Sequence, residues 1–182
     1  MENLFIPVKP EKSYPWYLRL VFHMQRKRFG EVLIPTLLWS RVPSLSVAFL
    51  IFYLVFQRKK SLLSAELQSL VMVRVAQVHE CVFCIDLNAL FLSERAQHQE
   101  KLQQVSTWKT SPVFSESEKM ALEYAEAMTQ TDSKVGDDIR IRLKSHFSDD
   151  SLVELTALIA FQNLSARFNA ALKIPSQGLC KI

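Results

Sequence analysis

Apolar side chains recur along this chain at intervals of three and four residues, the period of an α-helix with one buried face. The pattern and its flanking serine, proline and glycine residues predict helices at about 15–28, 32–40, 44–57, 65–79, 81–95, 99–108, 116–128, 137–146 and 149–172. No segment of any length alternates apolar and polar residues as a half-exposed strand would. The chain is therefore predicted to be all-α.

Serine residues mark three of the predicted helix starts. Ser64 and Ser148 each stand directly before a helical run, where a side-chain oxygen can accept a hydrogen bond from a backbone N–H group of the first turn. Ser115 is followed three residues later by Glu118, the spacing of a capping box, in which each side chain bonds the other residue's backbone N–H. These capping signals predict where the three helices begin.

The segment from Val42 to Phe56 is strongly apolar. It has fewer than the about 17 to 25 residues that a membrane-spanning helix needs, and an upstream extension would include Arg41 and Pro43. Association with a membrane is therefore not expected. We expect a helix that is buried on all sides, either in the monomer core or at a subunit interface. If it lies at an interface, the protein is an oligomer.

The composition is that of an ordinary globular protein of 182 residues, with 49% hydrophobic and 22% charged residues. This length suits one hydrophobic core and is too short for two independent domains. We divide the chain into an N-terminal helical extension, residues 1–60, packed on a core of residues 61–182. Only three glycines occur, so a fold with many tight hairpins would lack its usual turn residues.

The formal net charge of +4 comes mainly from two short basic runs, 26–28 and 58–60. Both end predicted helices, where cations complement the last carbonyl groups, so we interpret them as solvated helix ends and expect no nucleic-acid partner. The N-terminal residues include an early acid and two prolines and lack the pattern of a secretory signal. Three cysteines without an export signal indicate the reducing cytoplasm.

Two of these cysteines, Cys81 and Cys84, lie three residues apart in the stretch HECVFCIDLNALF. On one helix this spacing allows a disulfide across a single turn, and a helix N-terminus favours the thiolate form, most of all for Cys81. The pair fits a redox dithiol, half of a zinc site or two buried, inert residues. The other possible zinc ligands are His79, His98, His146 and Cys180. They do not form a second pair at zinc-finger spacing, so no metal is expected.

Three segments resemble the alkylhydroperoxidase D and carboxymuconolactone decarboxylase family, with their order and spacing kept over roughly Ser61 to Gly178. They are LQSLVMVRVAQVHECVFCIDLNALFL, FSESEKMALEYAEAMTQ and HFSDDSLVELTALIAFQNLSARFNAALKIPSQG. The resemblance implies an all-α, alkylhydroperoxidase D-like fold that assembles into homo-oligomers, commonly trimers or hexamers. It also implies that the cysteine pair lies at a helix start near a subunit boundary.

In family members that keep the pair, the resemblance implies that a hydroperoxide substrate is reduced. Cys84 then resembles the cysteine that reacts with the peroxide, and Cys81 the one that resolves the sulfenic acid to a disulfide. This assignment differs from the helix-dipole argument, which favours Cys81 as the nucleophile. A thioredoxin-like or lipoyl-bearing donor would reduce the disulfide again after each cycle. No cofactor is expected.

The proton relay of the best-studied peroxidases of this family is replaced. Its glutamate and two histidines correspond here to Ser69, Phe83 and Asn88, none of which accepts a proton near neutral pH. Asn88 can still hydrogen-bond a thiolate or a water molecule. The candidate carboxylates that could replace the relay are Glu66, one helical turn before Ser69, together with Glu80 and Asp86.

The sequence thus predicts a cytoplasmic thiol-dependent peroxidase or disulfide oxidoreductase of antioxidant defence, slowed by the replaced relay. A non-catalytic helical oligomer that senses redox state or binds a partner is the alternative. A lactone decarboxylase is less favoured, since that branch of the family generally lacks the cysteine pair. The oxidoreductase prediction requires two sulfurs that face one another at an accessible helix entrance. Three polar residues of the last helix could line a pocket or pair with carboxylates such as Asp86 or Glu123, but structural hydrogen bonding is the favoured interpretation; the three are Asn163, Arg167 and Asn169.

Overall fold

The computed structural model describes residues 4–95, 100–131 and 134–180, and within these ranges every regular element is a helix. The α-helices are α1 Trp16–Phe29, α2 Ile34–Trp39, α3 Pro43–Phe56, α4 Ala65–Val78, α5 Val82–Arg95, α6 Glu100–Gln104, α7 Glu116–Thr129, α8 Asp137–Lys144 and α9 Asp149–Ala171. Single 3-10 turns lie at Glu11–Ser13 and Val105–Thr107. The all-α prediction is confirmed.

The helix starts follow the serine signals in the sequence. Ser64 and Ser148 each accept a hydrogen bond from the backbone N–H three residues later, at 3.1 and 3.2 Å. Ser115 and Glu118 form the complete capping box at the start of α7. The helix predicted at 99–108 differs: residue 99 lies outside the described ranges, and α6 ends at Gln104 and continues as a 3-10 turn.

Helix α4 lies at the centre of the fold and packs against α5, α7 and α9. Its side chains are buried on several faces at once; the α4 members of the apolar clusters are Leu67, Leu70, Val71, Met72, Val73, Val75 and Ala76. Helices α4 and α5 form an antiparallel hairpin: Cys81, just before α5, bonds Ala76 near the end of α4, and Arg95 at the end of α5 bonds Ser69 nearer its start.

The first three helices pack on this core through aromatic and aliphatic contacts. The rings of Phe49 in α3 and Phe161 in α9 lie 4.9 Å apart, and Trp39 of α2 stacks on Phe168 of α9 at 3.8 Å. Apolar side chains of α2 also join the buried cluster that contains the two cysteines of the candidate site. Helix α2 and the start of α5 are thereby brought to the same part of the core.

The outer face of α3 is exposed, which excludes burial in the monomer core, the first of the two predicted alternatives. Of its side chains only Ser46 and Phe56 are buried, whereas Ile51 and Leu54 are 61% and 62% exposed. Neighbouring α1 also exposes apolar side chains, such as Leu20 at 57%. Burial at a subunit interface stays a prediction. Among the described residues, no helix combines the length and the apolar character needed to span a bilayer.

Candidate dithiol site

A tight turn between α4 and α5 positions the cysteine pair. Helix α4 ends in a Schellman motif, in which the Cys81 N–H bonds the Ala76 carbonyl at 3.0 Å and the Glu80 N–H bonds the Gln77 carbonyl at 3.0 Å. Glu80 adopts the left-handed conformation at φ 50°, where glycine is more common. The turn delivers Cys81 directly to the start of α5.

Cys81 acts as the N-cap of α5. Its Sγ accepts a hydrogen bond from the Cys84 N–H at 3.3 Å, and its carbonyl accepts one from the Ile85 N–H at 2.9 Å. The two cysteines are joined by a disulfide, with their Cα atoms 5.2 Å apart. The sulfurs therefore face one another, as the oxidoreductase prediction requires.

The pair is buried, which corrects the prediction of an accessible helix entrance. Both cysteines are only 2% exposed and belong to one apolar cluster with Phe83, side chains of α2 and α9, and Ile174 of the C-terminal tail. A reagent can therefore reach the disulfide only after part of this cover has moved.

Asn169, from the last turn of α9, contacts the site. Its Nδ2 donates a hydrogen bond to Cys84 Sγ at 3.2 Å, and the residue is 2% exposed. Its Oδ1 is buried and has no hydrogen-bond partner among the described residues. Sequence reasoning treated Asn169 as a structural residue like Asn163, which does bond Thr129 and His79. No local signal distinguishes the two, because the contact joins residues 85 positions apart.

The predicted substitutes for the relay lie in different places. Asn88, one turn after Cys84, is buried and its Nδ2 donates to the Met72 carbonyl at 3.4 Å. The Ser69 hydroxyl donates to the Ala65 carbonyl at 3.0 Å and accepts from Arg95. These contacts occupy both side chains within the α4–α5 hairpin.

Glu66 lies far from the pair. It forms an ion pair with Lys101 at 3.0 Å near the start of α4. Ten residues of helix separate it from Ala76, which contacts Cys81, and this corresponds to about 15 Å along the axis. The Glu66 carboxylate therefore does not reach the sulfurs in this conformation. Glu80 is exposed in the turn before Cys81.

Asp86 anchors the C-terminal tail to α5. Its two carboxylate oxygens accept four hydrogen bonds; the donors are Ser176 Oγ at 2.7 Å, Gln177 N at 3.0 Å, Leu179 N at 3.0 Å and Cys180 N at 2.8 Å. Burial alone would raise the pKa of Asp86, but the donors on Cys180, Leu179, Ser176 and Gln177 outweigh it, so this pKa lies below its ordinary value. Asp86 is thus an ionised structural anchor.

The same tail is tied to α2. Gln177 accepts a hydrogen bond from the Ile34 N–H at 2.8 Å, and its side-chain amide donates to the Val32 carbonyl at 3.4 Å. Leu179 packs against the cluster that holds the cysteines. Tail and α2 together form the cover of the dithiol site.

The described residues do not gather three His, Cys, Asp or Glu side chains as metal ligands. Of the zinc candidates, His79 bonds Asn163 at 2.6 Å and His98 lies outside the described residues. The fold and the site thus define a class of all-helical proteins that carry a Cys-x-x-Cys pair at a helix start beside a central antiparallel helix hairpin.

The sequence model described as the carboxymuconolactone decarboxylase family matches residues 47–127, beginning within α3 and including both cysteines. The chain is also 45% identical over 179 residues to the uncharacterized protein YnjA of Escherichia coli strain K12, an alignment that covers 95% of each protein. This protein belongs to the carboxymuconolactone decarboxylase family, which includes the alkylhydroperoxidase D-like proteins.

Solved structures with the same fold extend over the N-terminal helices. A peroxidase-related protein of Ralstonia eutropha JMP134, described as an alkylhydroperoxidase D core, has a TM-score of 0.87 at 18% identity and covers 98% of this chain and 95% of its own. The debrominase Bmp8 has a TM-score of 0.86 at 20% identity, with the same coverage. These similarities establish the alkylhydroperoxidase D-like fold, including the segment 1–60 that lies before the part of the chain covered by the sequence resemblance.

Proposed function

We propose that this protein is a slow thiol-dependent oxidoreductase that reduces organic hydroperoxides in the cytoplasm through Cys81 and Cys84. The observation that carries the proposal is the disulfide at the start of α5, with an amide donor on Cys84 Sγ. Its apolar surroundings favour an organic hydroperoxide over hydrogen peroxide as the substrate. The name of one structural neighbour, a peroxidase-related protein described as an alkylhydroperoxidase D core, agrees with this chemistry.

The cycle starts from the reduced pair. The Cys84 thiolate attacks the terminal oxygen of ROOH, the O–O bond breaks, and the departing alkoxide takes a proton to become the alcohol. Cys84 is then a sulfenic acid. The Cys81 thiolate attacks its sulfur and expels the hydroxyl group, which leaves as water, and the disulfide forms. A thioredoxin-like or lipoyl-bearing dithiol supplies the two electrons and two protons that restore both thiols.

Two features predict slow turnover. General acid–base assistance is worth about a hundredfold to ten-thousandfold, and the carboxylates of Glu66 and Asp86 are bound to Lys101 and to the C-terminal tail instead. The cover formed by the tail and α2 must also open for each encounter with the reductant. Both features slow the reaction, but neither prevents the attack of a thiolate on the peroxide.

A homo-oligomer, a trimer or hexamer, would bury the exposed apolar face of α1 and α3. This face combines Trp16, Leu20 and Met24, which follow one another at helical spacing, with Ile51 and Leu54. An exposed apolar surface of this kind on a small protein is typical of an interaction site. We propose a second copy of the chain as its occupant, because the family resemblance implies assembly into homo-oligomers.

A redox sensor without turnover is the second candidate, and the burial of the pair favours it. A sensor would form the Cys81–Cys84 disulfide reversibly in glutathione buffers but would not consume hydroperoxide catalytically. Both functions therefore predict a reversible Cys81–Cys84 disulfide, but only the peroxidase predicts catalytic consumption of hydroperoxide.

The deciding experiment is a coupled assay with cumene hydroperoxide and a thioredoxin-based reducing system. We expect the unaltered protein to consume hydroperoxide repeatedly and Cys84→Ser to lose the activity. Cys180→Ser is the matched control, because Cys180 lies outside the disulfide, and it should keep the activity. Equal consumption by the unaltered protein and Cys84→Ser would refute the peroxidase function. A reversible disulfide without turnover would favour the sensor.

A further inference from the structure

The amide of Asn169 is placed unusually for a structural residue. Its Nδ2 lies 3.2 Å from Cys84 Sγ, whereas its Oδ1 is buried without a partner among the described residues. Nearly all buried polar atoms in proteins are hydrogen-bonded, so an acceptor left open beside a reactive sulfur calls for an explanation.

We propose that Asn169 is a catalytic residue: its Nδ2 stabilises the Cys84 thiolate, and its Oδ1 accepts the O–H hydrogen bond of the bound hydroperoxide. The second half of this inference rests on the proposed peroxidase function. The first half concerns the thiolate alone and does not depend on the proposed peroxidase function.

The donor half follows from the contact. A hydrogen bond to the charged form of a group favours that form, so an N–H directed at Cys84 Sγ lowers the pKa of the thiol once the disulfide is reduced. His79, the imidazole nearest in the sequence, is held by Asn163 instead. Asn169 is thus the side chain that is seen to donate to this sulfur.

The backbone holds Asn169 in place. Helix α9 ends in a second Schellman motif, in which the Asn169 carbonyl accepts the Ile174 N–H at 3.0 Å and Lys173 adopts φ 51°. The side chain therefore projects from a fixed last turn onto Cys84, and does not depend on a mobile loop for its position.

The acceptor half follows from covalent geometry. Nδ2 and Oδ1 belong to one planar amide, so an oxygen atom that approaches Cys84 Sγ also comes within reach of Oδ1. In ROOH the oxygen attacked by the thiolate carries the hydrogen, which it can donate to Oδ1 while the S–O bond forms and the O–O bond breaks. The alkoxide that leaves takes its proton from solvent. This arrangement selects hydroperoxides over dialkyl peroxides, which lack the O–H.

The thiolate test uses a background with Cys84 as its one cysteine, Cys81→Ser with Cys180→Ser, and follows thiolate absorbance in the ultraviolet against pH. This readout requires no reagent to reach the buried sulfur. We expect Asn169→Ala to raise the thiol pKa by about one unit and Asn169→Asp by about two, since the carboxylate adds a like charge. Asn163→Ala, on the same helix, is the matched control and should leave the pKa within a few tenths. Circular dichroism would verify that each variant is folded.

The substrate test compares the single-turnover rate with cumene hydroperoxide, in protein with all three cysteines, at a pH above the thiol pKa of every variant. Because the thiolate is then fully formed, a rate at least about tenfold lower in Asn169→Ala reports the lost orientation of the peroxide. Equal thiol pKa values in Asn169→Ala and its parent overturn the donor half, and equal rates at high pH overturn the acceptor half. A shifted thiol pKa in a protein that consumes no hydroperoxide refutes the peroxidase function and the acceptor half while supporting the donor half.

Discussion

Replacing Asp86 by Asn tests whether the C-terminal tail controls access to the dithiol site. The carboxylate accepts four hydrogen bonds, three of them on one oxygen, from Ser176 to Cys180. An amide keeps one acceptor oxygen and turns an NH₂ donor toward backbone N–H groups, so at least the bond on the other oxygen is lost and the remaining bonds go to a neutral acceptor.

The expected cost follows from these contacts. A hydrogen bond to a charged group contributes about 1.5 to 3 kcal/mol, and water replaces part of it because the tail is partly exposed. We therefore expect the docked tail to lose about 2 to 4 kcal/mol, which corresponds to a roughly 30-fold to several-hundred-fold higher opening constant. Opening exposes the cluster of Cys81 and Cys84, so reduction of the disulfide should accelerate with it.

Hydrogen exchange of the Gln177, Leu179 and Cys180 amides measures the opening directly, and the rate of disulfide reduction by a phosphine measures access. Asp150→Asn, at an exposed position in the first turn of α9, is the matched control and should change neither. Unchanged exchange in Asp86→Asn would refute the anchor. Faster hydrogen exchange with an unchanged rate of disulfide reduction would refute the claim that the tail limits access to the disulfide.

The pH dependence has a defined sign. Because the pKa of Asp86 is lowered on folding, its stabilisation of the tail is fully present above the ordinary carboxyl pKa of 3.8 and is lost as the pH falls through the lower folded value. Tail exchange in the unaltered protein should rise in that acid range. In Asp86→Asn, the exchange of the tail amides should not show this rise in the acid range.

Three further changes are predicted. Glu126→Gln breaks a buried network, in which the carboxylate accepts a hydrogen bond from Trp108 at 2.8 Å and pairs with Arg74. Urea unfolding at neutral pH should show that the free energy of unfolding falls by about 3 to 5 kcal/mol. A fall of less than about 1 kcal/mol would contradict this. Glu80→Gly relieves a left-handed residue at φ 50° and should raise the free energy of unfolding by about 1 kcal/mol, and lower stability would contradict the turn geometry. Leu20→Glu with Ile51→Glu should convert the proposed homo-oligomer to a monomer in light scattering. An unchanged mass would contradict an interface at this face.

Much of the fold could be predicted from local patterns. The helical period and the serine caps predicted α4, α7 and α9, because a cap and an apolar stripe are both encoded within a few residues. The turn at Glu80 was not predicted, because its left-handed conformation occurs without a glycine. For α3 the sequence left burial in the core or at an interface open, since an apolar helix has the same sequence whether its own chain or a partner covers it.

The site was predictable in part. The spacing of Cys81 and Cys84 was sufficient to expect paired sulfurs, since a disulfide across one helical turn is a local feature. Their burial and the contact from Asn169 depend on elements far along the chain, which no local pattern encodes. Asp86, a candidate proton acceptor by its position, is instead ionised and bound to the tail.

The most direct test is to expose fully reduced protein to one equivalent of cumene hydroperoxide, quench it with an alkylating reagent after unfolding, and identify the modified cysteines by mass spectrometry. A working pair predicts complete conversion to the Cys81–Cys84 disulfide, with Cys180 alkylated. If Cys81 and Cys84 are both found alkylated after the hydroperoxide treatment, no disulfide has formed, and the proposed function is contradicted.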